Sequence, residues 1–213
     1  ETGGDNDTET PASKLAFELN VDGQSYTLRG LSDKTVTKLT IPSTYQGLPV
    51  TSIGARAFFG CTCLTSITIP ASVTSIGYYA FYGCTGLTSI TVDAGNTKYH
   101  SNGNCLIETE SKTLISGCKN SVIPSDGSVT SIGDWAFYGC TGLTSLTIPN
   151  SVTSIGSGAF SGCTSFTSIA VDTGNTKYHS NGNCLIETES KKLILGCKNS
   201  VIPSDGSVTS IGD

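Results

Sequence analysis

The sequence predicts an α/β solenoid in which each rung adds one short parallel strand and one short helix, with β-hairpins inserted into some rungs. Three observations support this prediction. The tripeptide Ser-Ile-Gly returns at steps of 23 and 56 residues, residues 92–133 and 171–212 are almost identical, and most rungs contain the pattern Leu-x-x-Ile-x-Ile. Self-similarity at a fixed period is the signature of a repeat architecture whose neighbouring units share one core.

The N-terminal part of the chain is expected to precede the solenoid and to cover its first rung. Residues 1–13 are interpreted as a flexible leader, with Glu1–Gly4 as a remnant of cloning, because this acidic stretch lacks hydrophobic core residues. Residues 14–49 are predicted to be a capping hairpin and a lead-in strand, since apolar residues alternate around Asp22-Gly23. The sequence has no methionine, so we expect it to derive from a processed or longer chain.

Residues 50–213 are predicted to form the solenoid, with a 79-residue super-repeat of rungs of 23, 31 and 25 residues. Alternation of apolar and polar residues at the end of each Leu-x-x-Ile-x-Ile is typical of a half-buried strand. A second extended piece, Ser-Val-Thr-Ser-Ile-Gly, follows the main strand. The chain stops at Asp213, where another Ala-Phe-x-Gly-Cys would follow, so we expect this solenoid to be truncated at its C-terminus. The predicted strand ends are Ile69, Val92, Ile123, Ile148, Val171 and Ile202.

The segment Ala-Phe-x-Gly-Cys before each main strand is predicted to form one or two helical turns. Its alanine and phenylalanine would fill the core from that side, and its glycine would end the helix, as a C-terminal glycine does. In the 31-residue rung this segment is replaced by NCLIETESKTLISGC at 104–118, which recurs at 183–197. Two apolar runs flank a polar Glu-Ser-Lys tip there, which predicts an inserted hairpin.

Composition excludes several classes of protein. Charged residues make up 14% of the sequence and the net charge is −5, whereas nucleic-acid binding needs a basic surface. No apolar run approaches the ~20 residues of a membrane-spanning helix. The chain therefore suits neither a nucleic-acid partner nor a membrane span.

Four cysteines occupy equivalent places in the repeats. A nucleophile needs one special copy beside a base, so four interchangeable copies favour small, buried, apolar thiols that fill the core. A disulfide between neighbouring rungs is within reach, but side chains in a ladder point the same way. The four predicted structural cysteines are Cys61, Cys84, Cys140 and Cys163.

The cysteines of the inserted hairpins allow two interpretations. Cys105 and Cys118, like Cys184 and Cys197, lie on opposite arms of one hairpin and are candidates for a cross-strand disulfide. Alignment of the rungs instead makes Cys118 a core residue, because it precedes Ile123 by five positions, as Leu87 precedes Val92. With nine cysteines in all, at least one thiol stays unpaired within the monomer.

No catalytic or metal-binding constellation is evident, and no cofactor is expected. The two histidines, His100 and His179, lie 79 residues apart in the segment TKYHSNGNC, and each lacks the further ligands of a metal site. They are interpreted as solvated loop residues.

The outward positions of the main strands are the candidate binding residues. They form two predicted columns of small hydroxyl side chains, which suit either an exposed strand or a flat, uncharged recognition surface. Exposed aromatic residues form a second candidate surface, as interface anchors or as packing between turns: Tyr78, Tyr79, Tyr82, Trp135 and Tyr138. The column residues are Ser66, Thr68, Ser89, Thr91, Ser145, Thr147 and Ser168.

The phrase AFYGCTGLTSLTIPNSVTSIG at 136–156, with its recurrence from about residue 50 onward, resembles the BspA-like family of leucine-rich repeat proteins. The resemblance implies a right-handed, curved solenoid with a parallel sheet on its concave face and short helices on its convex face. It also implies a secreted or surface protein of bacteria that adheres to host proteins or other cells.

The predicted function is accordingly a non-enzymatic interaction module, extracellular or on the bacterial cell surface, and monomeric. Its expected partner is a host or bacterial protein, with a glycan as a further candidate. The alternative is a structural spacer that holds another domain away from the cell surface, which the near-identical 79-residue units also suit.

Overall fold

The computed structural model describes residues 12–212, which contain nineteen short strands and one 3-10 helix, Ala12–Lys14. Most of the predicted leader, residues 1–11, lies outside the described residues, as does Asp213. No helix in residues 12–212 has the length and apolarity to cross a membrane.

The N-terminal hairpin is confirmed. Strand β1 (Leu15–Leu19) pairs antiparallel with β2 (Tyr26–Leu31), and Gly23 in the connecting loop has a φ of 65°. Strand β2 then pairs parallel with β5 (Leu48–Ile53), which is flanked on its other side by β4 (Thr44–Tyr45). The hairpin thus extends a strand ladder of the solenoid itself.

The main strands of the rungs stack parallel and in register. β3 (Lys38–Thr40), β6 (Ser66–Ile69) and β8 (Ser89–Val92) form one sheet, while β13 (Ser145–Ile148) and β15 (Ser168–Val171) form another. Alternate residues point into the core, so Ile67 and Ile90 are almost completely buried while their neighbours face outward. The predicted alternation is confirmed in these strands.

The Ser-Ile-Gly pieces form a second ladder. β5 pairs with β7 (Ser75–Ile76), and β12 (Ser131–Ile132) pairs with β14 (Ser154–Ile155), again in parallel. The last described strand is β19 (Ser210–Ile211). Each rung without an inserted hairpin therefore contributes a main strand to one ladder and a second strand to the other.

The predicted helices are wrong: the Ala-Phe-x-Gly-Cys segments form turns. Their backbone N–H groups bond either three residues back or to the next rung, whereas an α-helix is built on bonds four residues back. The N–H groups of Ala57 and Phe59 bond three residues back, to Gly54 and Arg56, whereas Phe58 N–H donates to the carbonyl of Ala80 in the next rung, at 2.8 Å. We call the stretches from the Ser-Ile-Gly glycine to the cysteine, such as 77–84 and 133–140, the turn segments.

Each inserted hairpin is part of a three-stranded antiparallel meander. β10 (Cys105–Glu108) pairs with β11 (Thr113–Ser116), which confirms the predicted hairpin, and also with β9 (Tyr99–Asn102). The second copy comprises β16 (Tyr178–Asn181), β17 (Cys184–Glu187) and β18 (Lys192–Gly196). β11 and β18 then pair parallel with β12 and β19, so the meanders join the second ladder.

The hairpin rungs contribute no main strand, contrary to the predicted strand ends at Ile123 and Ile202. Residues 119–123 and 198–202 are irregular. Their polar groups are bonded to the meander instead: Val122 N–H donates to the carbonyl of Gly103 at 2.8 Å, and Ser121 Oγ donates to that of Asn104 at 2.8 Å. The main-strand sheet is consequently interrupted at each hairpin rung.

The buried side chains form two large clusters, divided near the first hairpin rung. One runs from Leu15 to Cys118 and the other from Cys105 to Cys197. Phe58 and Phe81 stack in the first cluster, and Phe137 and Phe160 stack in the second, each pair with ring centroids 5.5 Å apart. The phenylalanines of the turn segments thus fill the core although no helix carries them.

Candidate functional site

The outward residues of β6, β8, β13 and β15 form what we call the sheet face. The register places Ser66 beside Ser89 and Thr68 beside Thr91, and it places Ser145 beside Ser168. Thr147 lies beside Ala170, so the second column loses its hydroxyl there. β3 extends the first sheet with Lys38 and Thr40, next to Ser66 and Thr68.

The sheet face is two patches rather than one continuous surface. Thr91, Ser145, Thr147 and Ser168 are exposed, whereas Ser66, Thr68 and Ser89 are partly buried. The irregular stretch 119–123 separates the two sheets. A ligand that covers both patches must therefore bridge one hairpin rung.

Threonine hydroxyls just before the main strands are engaged between rungs. Thr88 Oγ1 donates to the carbonyl of Thr65 at 2.9 Å, and Thr167 Oγ1 donates to that of Thr144 at 3.0 Å. These hydroxyls stabilise the stacking of the rungs. They differ from the column residues, which alternate with buried side chains on the strands themselves.

Asn183 lies at the end of the second sheet, where its side chain makes the hydrogen bonds that a further strand would make. Its Oδ1 accepts a hydrogen bond from Ile169 N–H at 3.1 Å, and its Nδ2 donates to the carbonyl of Thr167 at 2.6 Å. Asn183 and Gly182 both have positive φ, as do Asn104 and Gly103, which identifies tight two-residue hairpin turns. We did not predict this role from the sequence, although Gly-Asn is a dipeptide typical of two-residue hairpin turns.

The four repeated cysteines are buried, with at most 9% of their surface exposed. Cys84 Sγ donates to the carbonyl of Phe58 at 3.1 Å, and Cys163 Sγ makes the same bond to Phe137 at 3.1 Å. Burial raises the pKa of Cys84 to about 12 and that of Cys163 to about 11. Since the thiolate is the reactive form, these thiols are unsuited to nucleophilic chemistry.

All nine cysteines are free thiols in the structure, including the hairpin cysteines. Cys184 lies opposite Gly196 rather than Cys197, so the two cysteines of this hairpin are offset by one position. Cys105 and Cys118 are each at most 1% exposed, and burial raises the pKa of both. This arrangement favours the core interpretation over the disulfide, while Cys63 is exposed.

The histidines lie at the outer strand of each meander. His100 Nδ1 is 2.9 Å from Thr109 Oγ1, and His179 Nδ1 is 3.0 Å from Thr188 Oγ1. Within residues 12–212, no three His, Cys, Asp or Glu side chains are grouped so that they could hold a metal ion.

The aromatic residues of the turn segments pack against one another along the solenoid. Tyr82 and Tyr138 are stacked with centroids 3.6 Å apart, and Phe59 stacks on Tyr82 at 5.2 Å. The hydrogen bond with Tyr138 raises the pKa of Tyr82 to about 12. Tyr78, by contrast, is 85% exposed.

The repeats of this chain match a known protein family. Residues 31–114 and 109–203 match the profile of the family described as "BspA type Leucine rich repeat region", in six copies. The chain belongs to this BspA-type leucine-rich repeat family. Such repeats generally serve as non-enzymatic interaction modules, and no catalytic family is indicated.

Solved structures agree with this fold. A leucine-rich repeat protein of T. pallidum is 25% identical, with a TM-score of 0.51, and the match covers 96% of this chain and 82% of that one. A leucine-rich repeat protein of Bacteroides ovatus is 23% identical, with a TM-score of 0.50, and the match covers 94% and 52% of the two chains. No curated protein matches the sequence.

Proposed function

We propose that this BspA-type chain is a non-enzymatic interaction module of a bacterial surface or secreted protein, which adheres to a host protein, to extracellular matrix or to other cells. The observation that carries the proposal is the sheet face. Its hydroxyl side chains are aligned by the strand register at regular spacing. Hydroxyl groups both donate and accept hydrogen bonds.

The sheet face is suited to recognition because its residues need little ordering on binding. Serine and threonine have short side chains, and the ladder of main strands fixes their backbone, so little conformational entropy is lost in the complex. The face is nearly uncharged, and partners of either charge can approach it without strong repulsion. Lys38 adds one positive charge at the edge of the first patch.

The test places charge at the centre of the face. In the triple variant Thr68→Asp, Thr91→Asp and Thr147→Asp, we expect adhesion to matrix-coated surfaces and to epithelial cells to fall at least about tenfold, because unpaired carboxylates are costly to desolvate in an interface. The matched control is Thr97→Asp with Thr176→Asp, since both threonines are exposed in loops. Unchanged adhesion of the triple variant, with its fold intact by circular dichroism, would show that the sheet face is not the binding surface.

The second candidate function is a spacer, favoured by the near-identity of residues 92–133 and 171–212. Deletion of one 79-residue unit separates the two proposals. A spacer loses reach in a surface-display assay while any affinity stays constant. An adhesive sheet face instead loses affinity, because one of its two patches is removed.

A further inference from the structure

A cleft opens between the turn segments 77–84 and 133–140, and the hairpin rung creates it. Cys118 follows Leu114 by four positions, whereas Cys140 follows Ile132 by eight. The intervening rung therefore has a shorter turn segment, and its Gly117 N–H reaches Ala136 at 2.8 Å. Because this turn segment is shorter than its neighbours, a cavity of about 300 Å³ that opens to solvent lies beside it.

Aromatic rings form the walls of this cleft. Tyr82 and Tyr138 stack across the gap, and the ring of Tyr79 lies 5.5 Å from Tyr82 at 87°. Trp135 lies 6.1 Å from Tyr82 and 5.7 Å from Tyr138, steeply inclined to both. Tyr78, 85% exposed, stands at the same opening. We call these five rings with their cavity the aromatic cleft.

The fold does not require the rings of the segment 77–84, because a cleft beside the equivalent segment 79 residues later lacks them. It lies beside β18, has a volume of about 460 Å³, and is lined by Ser157, Gly158 and Ser161 at the positions of Tyr78, Tyr79 and Tyr82. The backbone agrees at the central position of the two segments, since Tyr79 and Gly158 have φ values of 58° and 59°. The turn segment 77–84 thus carries three aromatic rings at positions where its counterpart carries two serines and a glycine.

Tyr79 and Trp135 also occupy a backbone conformation that disfavours them. Trp135 has a φ of 57°, in the left-handed region that β-carbon-bearing residues rarely adopt and that glycine adopts freely. Glycine occupies this position at residue 158. The conformation belongs to the turn itself, since Arg56 has a φ of 58° at the equivalent position, so the turn accepts glycine more readily than it accepts Tyr79 or Trp135.

We propose that the aromatic cleft binds a neutral sugar ring of a glycan. The C–H face of a pyranose is weakly positive and stacks on the negative face of an aromatic ring. The hydroxyl groups around the sugar are matched by polar groups at the rim, including the phenol of Tyr78 and the side chain of Thr113. The volume is at the lower end of the range for small-molecule sites, which fits one or two rings.

The charges around the cleft select a neutral ligand. Arg56 lies over the ring of Tyr79, 5.9 Å from its centroid, so a positive group already occupies one face of that ring and disfavours a cation. Asp134 lines the other side and disfavours an acidic sugar or a phosphate. This site differs from the proposed adhesive sheet face in its location and in its ligand.

The sole tryptophan of the chain, Trp135, reports on the cleft directly. We expect at least one of four neutral tetrasaccharides (cellotetraose, maltotetraose, mannotetraose and tetra-N-acetylchitotetraose) to change its fluorescence saturably, with a Kd of about 1 mM or tighter. Saturation-transfer NMR on the full chain provides the second readout. The sheet-face variant Thr68→Asp/Thr91→Asp/Thr147→Asp should bind the same sugar unchanged, so failure of either proposal is recognised separately.

Two variants test the walls. Tyr79→Gly introduces the residue found at 158 and relieves the backbone, and Tyr78→Ser changes an exposed side chain, so both should fold. Each is expected to weaken the sugar about fivefold to tenfold, as the loss of one stacking partner does. The control Val21→Ser, which removes an exposed apolar side chain outside the cleft lining, should change the affinity less than about twofold.

Three results would overturn the proposal. The first is the absence of a saturable response from all four sugars at about 10 mM in both readouts. The second is binding that survives both Tyr79→Gly and Tyr78→Ser. The third is saturation of the cleft by a proline-rich peptide or by choline in place of the sugars.

Discussion

Asn96 shows how a single side chain ties two rungs together. Its Nδ2 donates to the carbonyls of Pro70 and Val73, at 3.0 and 2.9 Å, and its Oδ1 accepts from the N–H groups of Lys98 and Tyr99. Asn96 is only 9% exposed, so all four of these backbone groups depend on it. In the sequence Asn96 is one of several polar residues of a loop, and its buried position is not evident there. Asn side chains do, however, commonly stabilise turns by bonding to the backbone two or three residues further on.

Substitution of Asn96 by alanine should therefore be costly. We expect Asn96→Ala to lower the free energy of unfolding by about 3 kcal/mol, because it leaves several buried polar groups unpaired. Asn150→Ala, at an exposed position, should cost less than about 0.5 kcal/mol. Urea unfolding measures both, and similar costs for the two variants would contradict the role assigned to Asn96.

The buried thiols predict a pH dependence of stability. Burial raises the pKa of Cys84 from an ordinary 9.0 to about 12, so the unfolded chain releases this proton first as the pH rises. The stabilisation is complete below pH 9 and is lost between about pH 9 and pH 12, with a loss of about 1 kcal/mol at pH 10.

The variant Cys84→Ala should lack this contribution. Its unfolding free energy should fall less steeply from pH 8 to pH 10 than that of the unchanged chain, whatever its stability at neutral pH. Thr62→Ala changes an exposed residue that carries no titratable group and should leave the slope unaltered. Equal slopes in all three proteins would contradict the assignment.

At the scale of elements, periodicity predicted the strands better than the turns. Alternation identified the main strands correctly because one face of each is buried, as in β6 and β8. The turn segments resemble short helices in sequence, but their N–H groups are shared with the next rung, as Phe58 to Ala80 shows. The sequence of a single repeat does not reveal these hydrogen bonds to the next rung.

The meanders were only half predicted for a similar reason. The apolar runs around Glu108 indicated the pair β10–β11, while β9 is rich in polar residues and lacks apolar alternation. Its evidence is the Gly103-Asn104 turn, in which both residues have positive φ. The sequence identified the five aromatic residues as a candidate surface, but not the cavity between them, because the cavity depends on the shorter turn segment of the same rung.

The Gly103 turn provides a test at this scale. A Cβ at Gly103 would overlap the carbonyl oxygen of Val122, whereas one at Gly127 would meet open space, and both glycines have positive φ. Gly127→Ala should cost about 1 kcal/mol of unfolding free energy for the backbone conformation alone. Gly103→Ala should cost at least about 2 kcal/mol more, since it also displaces residues 119–123. Equal costs would show that the Val122 contact adjusts freely.

In a solenoid each rung contacts only the neighbouring rungs, so equivalent residues contribute differently to the free energy of unfolding when their neighbours differ. Ile132 in β12 is completely buried because β11 and β14 flank it in the second ladder. Its equivalent in the next super-repeat, Ile211 in β19, is 69% exposed. In residues 12–212, β19 pairs only with β18.

This contrast gives a prediction about the assembly state of the 213-residue chain. Ile132→Ala should lower the unfolding free energy by about 3 kcal/mol, as large-to-small changes in a packed core do. Ile211→Ala, made in this 213-residue chain, should change it by less than about 0.5 kcal/mol if that chain is a monomer, since within the described residues no further strand covers the side chain. A large cost at Ile211 that grows with protein concentration would mean that a second copy covers β19, which would contradict the monomer. Thermal unfolding at two concentrations, combined with light scattering, distinguishes these outcomes.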